Sequence, residues 1–138
     1  MISRCLVALI MFSVSAMASA DVYVESGFIG VNRTAAAGGK GTLQGQFAFR
    51  REAAQKNEAI KEIGWMTLQP GDSIGFHQHK NNEDAYIIVS GVGTFTDSDG
   101  QSHQVKAGDV TIARKGQSHG LANTGKEPLV FIDVIAEQ

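Results

Sequence analysis

The stretch from Gly71 to Gly91, GDSIGFHQHKNNEDAYIIVSG, decides how this chain is read. Its strongest local signal is Ala85 to Val89 (AYIIV), the most β-forming run in the sequence, because β-branched and aromatic side chains suit a pleated surface. Ile74 to His79 reads as the strand before it, set off by the turn Pro70-Gly71-Asp72. Residues at i and i+2 on a strand point the same way, so His77 and His79 are expected to aim into one space. Glu83 and Asp84 follow within a few positions, and His119 lies in a later patterned segment. Imidazole nitrogen combined with carboxylate oxygen, without sulfur, suits Mn, Fe, Co, Ni, Cu or Zn as the divalent ion. Alternation leaves Glu83 and Asp84 both open as the acid, since both faces of the following strand are apolar.

Outward from this stretch the pattern stays regular. Ile63 to Leu68, Thr94 to Thr96, Gln101 to Val105, Val110 to Ala113, His119 to Ala122 and Leu129 to Ile135 all read as short strands separated by glycine-bearing turns. Thr42 to Phe49 is a further strand, and Val22 to Val24 a short entry strand. Ala35 to Gly41 reads as a flexible connector. Arg51 to Glu62 holds good helix formers over a thin apolar stripe at Ala54, Ala59 and Ile60, and is the one candidate helix. Many short strands at near-even spacing predict an all-β sandwich or barrel with at most one short helix.

The beginning of the chain carries a different signal. Arg4, the apolar run Cys5 to Val14 and then Ala18-Ser19-Ala20 have the form of a secretory leader cut after Ala20. A periplasmic or secreted location is therefore expected, with no membrane attachment after cleavage. The single cysteine, Cys5, would leave with the leader, so neither a disulfide nor a thiolate site is expected in the domain. A net charge of −2 argues against nucleic acid as a partner. The division expected is leader 1–20, an N-terminal strand and connector region 21–62, and a barrel core 63–138.

Two spaced patterns resemble the cupin superfamily. Gly71-x5-His77-x-His79, then Glu83 or Asp84, then Gly91, is similar to that family's first motif. Gly108-x5-Arg114-x-Gly116-x2-His119-x3-Asn123 is similar to its second, with Arg114 where the family has proline. Counting back from Gly91 gives Asp84, whereas the family's residue type is matched by Glu83. The resemblance implies a jelly-roll β-barrel in which His77, His79, His119 and one of Glu83 and Asp84 hold a divalent metal. Fe, Mn or Ni is favoured, with Zn left open, and a homodimer is implied as well.

Three functions are compatible with this reading. The first is a small-molecule metalloenzyme of dioxygenase, decarboxylase or isomerase type. The second is a non-catalytic periplasmic binder of a sugar or organic acid. In the third the metal only staples a thiol-free domain. His103 fits no ligand spacing and is expected to face solvent. Trp65, Phe76 and Tyr86 are expected in the core rather than in a substrate pocket, and Arg50-Arg51 and Arg114-Lys115 on solvated turns.

Overall fold

Alternation of buried and exposed residues along each strand builds this molecule, and the computed structural model describes residues 20–137. In chain order the strands are β1 (Ile29–Thr34), β2 (Thr42–Phe49), β3 (Ile60–Leu68), β4 (Ser73–Gln78), β5 (Glu83–Ser90), β6 (Val92–Thr96), β7 (Ser102–Lys106), β8 (Val110–Ala113), β9 (Ser118–Ala122) and β10 (Leu129–Ala136). They form two antiparallel sheets, ordered β1-β2-β3-β10-β5-β8 and β4-β9-β6-β7. This is the jelly-roll expected from the sequence. Among the described residues there is no α-helix, only 3-10 turns at Glu25–Gly27 and Ala36–Gly38. No helix there is long and apolar enough to cross a membrane. The leader expectation falls, save for Ala20, outside the described residues.

The space between the sheets is filled from both sides. Phe47, Met66, Leu68, Ile88, Leu129 and Phe131 from the larger sheet meet Ile74, Phe95, Val105 and Leu121 from the smaller one. β10 sits between β3 and β5 and is paired along its whole length, which explains the apolar run LVFIDVI: a central strand buries its inner face fully.

Three local expectations are corrected. Residues 51–59 form successive turns rather than a helix. Ala53 N–H donates to Arg50 O and Glu58 N–H to Gln55 O, while the Glu58 carboxylate accepts from Gln55 N–H at 2.7 Å. Nearly all of this stretch is exposed, so a helix would have had no buried face to pack, which is where most helix stability arises. Ile60 and Glu62 are instead drawn into the ladder with β10. Val22 to Val24 joins no ladder, and the first strand begins at Ile29. Nor is Ala35–Gly41 a loose connector. It lies across β4, with Ser73 N–H donating to Lys40 O and Lys40 N–H to Ser73 Oγ, both at 2.9 Å.

One irregularity positions the site. In the β4–β9 ladder Ile74 faces Leu121 and His77 faces His119, so Gly75 and Phe76 oppose the single residue Gly120. This β-bulge shifts the alternation by one. Ile74 and His77 therefore both point inward, although they are three positions apart. Only glycine fits at 75, because a Cβ there would stand 2.2 Å from Ala37 O.

Candidate metal centre

Four side chains from three strands and one turn converge inside the barrel. His77 comes from β4, His79 from the residue just past its end, Asp84 from β5 and His119 from β9. The Nε2 atoms of His77 and His119 each lie 3.0 Å from that of His79. Asp84 Oδ2 lies 3.3 Å from His79 Nε2 and 3.2 Å from His119 Nε2. One donor atom from each residue lies within 4.8 Å of all the others.

Of the two acids left open by the sequence, the structure brings Asp84 to this cluster and turns Glu83 away. Glu83 and Asp84 are neighbours on a strand and so face opposite sides. Asp84 is buried, whereas the half-exposed Glu83 carboxylate accepts from Arg114 Nη1 at 2.7 Å. Arg114 is also the residue that replaces the motif's proline, so that departure supplies the partner that holds Glu83 at the surface.

Hydrogen bonds orient the rings. The Nδ1–H of His77 donates to Gly75 O at 2.8 Å, and that of His79 donates to Asn82 Oδ1 at 2.8 Å. In a neutral imidazole this leaves a lone pair on Nε2. The backbone of His79 is fixed from the β8–β9 turn, where its N–H donates to Gln117 O and its C=O accepts from Gly116 N–H. Gly116 takes a φ of 87°, a conformation glycine reaches without a side-chain clash. His119 is fully buried, stacked on Tyr86 with ring centroids 4.8 Å apart and edge-on to Phe95.

Electrostatics favours the ligand form of the rings. Burial lowers the pKa of all three histidines, that of His119 to about 4. They are neutral near pH 7, so their contacts with Asp84 are not ion pairs. Burial raises Asp84 to about 6. Asp133 on β10 is raised well above the usual carboxylate range, first by burial and then by the Asp84 charge beside it. The Nε2 lone pairs of His77 and His79 and the Asp84 oxygen crowd together with His119 Nε2, an arrangement that a cation among them would relieve. Asp84 Oδ1 and His119 Nδ1 are buried without a hydrogen-bond partner. The donor set therefore fits a divalent metal ion.

The remaining expectations sort as follows. His103 is half exposed and paired with Asp97 Oδ2 at 2.7 Å, away from the cluster. Trp65 and Phe76 lie on outer faces rather than in the core, 41% and 54% exposed. Tyr86 alone of the three aromatics reaches the centre, its hydroxyl 3.4 Å from His119 Nε2. Asn123 organises a turn, donating to Leu68 O and Glu127 O. Asp133 was missed by sequence reasoning. The signal was one acid in an otherwise apolar strand.

The family model described as a cupin domain matches residues 64–135, just over half of the chain. The chain belongs to the cupin family. Among relatives of this cupin is the oxalate-binding protein of Thermotoga maritima, 37% identical over 71% of this chain and 78% of that one. Gentisate 1,2-dioxygenase of a Ralstonia species is 33% identical over 61% of this chain, but the match spans only 23% of that enzyme. A crystal structure from Thermotoga maritima, described as a predicted oxalate decarboxylase, superposes with a TM-score of 0.76. It is 32% identical and covers 86% of this chain and 100% of its own.

Proposed function

We propose that this cupin binds a small carboxylic acid, with oxalate as the first candidate, at a divalent metal held by His77, His79, Asp84 and His119. The spacing of the donor atoms carries the reading. Two ligands about 2.1 Å from an ion and at right angles lie ~3.0 Å apart, whereas tetrahedral ligands lie ~3.4 Å apart. The neighbouring donors here are separated by 3.0 to 3.3 Å. The two ring-nitrogen distances match the right-angle value, and the carboxylate distances fall between the two. That favours six-coordination, as by Fe, Mn or Ni, over a closed zinc staple and would leave positions for ligand oxygens. A bound ion would supply Lewis acidity to those oxygens. The chain's own residues do the rest: Gly75 and Asn82 fix the rings through Nδ1, while Tyr86 and Phe95 wall off water around His119.

Turnover is the second reading, favoured by the buried Asp133. Burial and the Asp84 charge raise its pKa well above the usual carboxylate range, which favours the protonated form, and its Oδ1 is buried without a hydrogen-bond partner. Loss of CO2 from a carboxylate needs a proton at the carbon left behind, and Asp133, buried on β10 beside Asp84, is the candidate donor. Metal analysis of untagged protein should give about one Fe, Mn or Ni per chain. Calorimetry should then show oxalate binding that disappears after chelation. Oxalate recovered unchanged supports the binder, and release of CO2 and formate supports turnover. Unaltered oxalate affinity in the metal-free protein would sink the proposal.

A homodimer belongs to the same reading. Val110, Ile87, Ile132 and Trp65 form one cross-strand row on the outer face of the larger sheet. Val110 is 58% exposed and Ile112 beside it 43%. A contiguous apolar face of this kind is a common association surface. Light scattering at micromolar concentration should give twice the chain mass, falling to a monomer in Trp65→Glu; a monomeric wild type refutes it.

A further inference from the structure

Phe47 lies flat on its own sheet. A Cβ on Gly45 would stand 2.6 Å from its ring, and one on Gly64 2.8 Å from it, so these two glycines form the bed on which the ring rests. Two guanidinium groups lie over the ring, with the central carbons of Arg33 and Arg50 5.2 and 5.3 Å from the centroid. Since the glycines occupy the sheet side, both cations are on the interior side. Their side chains are 42% and 27% exposed, so the interior meets solvent here.

Each guanidinium has one carboxylate beside it and keeps donors free. Glu62 Oε1 stands 3.6 Å from Arg33 Nη2, too far for a hydrogen bond. Arg50 engages only Glu52, on the exposed side, and its own Nε is buried without a partner. A planar fork of donors left open next to an aromatic face suits a carboxylate.

Phe47, which carries the pair, shares a row with Tyr86, the residue stacked on His119. Phe47 is paired with Gly64, Gly64 with Asp133 and Asp133 with Tyr86. At ~4.8 Å per strand the row covers ~14 Å along the sheet, and the reach of the arginine side chains shortens the gap. Oxalate, with both carboxylates at one ion, would leave the guanidinium pair untouched.

We propose that Arg33 and Arg50, stacked on Phe47, form a second carboxylate subsite of the barrel interior. The ligand is then a dicarboxylate longer than oxalate, with one end at the four-residue cluster and the other at the guanidinium pair. This rests on the reading that the cluster holds a metal and binds a carboxylate.

Metal-loaded protein titrated calorimetrically with succinate, butyrate and oxalate tests it. Succinate should bind about ten-fold more tightly than butyrate, the usual effect of one added hydrogen-bonded charge contact. Arg33→Gln and Arg50→Gln should each abolish that preference while metal content and oxalate affinity stay as in wild type. Arg50→Lys, which keeps the charge and loses the fork, should retain part of it, and Lys126→Gln, at an exposed turn, all of it. Butyrate binding as tightly as succinate, or a succinate preference that survives both Gln substitutions, overturns the subsite. Absence of oxalate binding with the succinate preference intact removes only the oxalate reading. Absence of binding by all three acids overturns both.

Discussion

Asp84→Asn is expected to strip the protein of its metal, while Glu83→Gln leaves occupancy unchanged. The loss should exceed the ~10–100-fold that removing a residue which merely orients a ligand costs. Asparagine keeps the shape but gives up the charge that a divalent ion needs from a centre whose other donors are neutral. Glu83 spends its carboxylate on Arg114 at the surface, where an exposed pair is worth about 0–1 kcal/mol. Metal content per chain after dialysis measures both. A second readout separates ligand loss from misfolding. In the metal-free protein Asp84 is a buried carboxylate facing Asp133, so its neutralisation should hold or raise the melting temperature. Metal lost from Glu83→Gln and kept by Asp84→Asn would reverse the assignment of the acid.

Phe131→Ala should destabilise the metal-free protein by about 3–5 kcal/mol, which is typical of an aromatic removed from a closed core. Phe131 is fully buried, pairs with Met66 on one side and Ile88 on the other, and lies 4.8 Å from the Tyr86 ring. For a domain of this size that corresponds to a fall of roughly 10–25 °C in melting temperature. The effect should also reach the metal centre, since Tyr86 stacks on His119 and would lose its backing. Metal affinity is expected to weaken, though less than in Asp84→Asn, because all four donors remain. Denaturant unfolding with and without metal measures both. A stability loss below about 1 kcal/mol would show that the two sheets are not held by this packing.

Much of the fold could be read from the residues because strands leave a short-period mark and glycine turns punctuate them. β2 and β8 have the bounds read from the sequence, β3 to β7, β9 and β10 differ only at their ends, and β1 over Ile29–Thr34 was not read at all. What escaped depended on partners distant in sequence. Helix formers in 51–62 suggested a helix, but nothing lay beneath them to cover, and β10 recruited their last residues. Val22 to Val24 has strand-forming side chains and no ladder to join. Trp65 and Phe76 were expected inside, and only the register of their strands shows that they face out. Asp133 was concealed by its neighbours, since an acid in LVFIDVI gains meaning only once Gly64 and Tyr86 are known to flank it. The choice between Glu83 and Asp84 likewise needed Arg114, a residue of the turn after β8.

The extra residue in β4 makes chain length in this segment a chemical variable. Removing one residue between Ile74 and His77 would leave every donor in the sequence, yet would either turn both rings to the outside or push Ile74 out of the core. Trimming that segment would thus disarm the centre as thoroughly as deleting a histidine, while exchanges of side chain at the outward-facing Phe76 should be absorbed. For anyone grafting this His-x-His pair onto another barrel, the kinked backbone has to travel with the imidazoles.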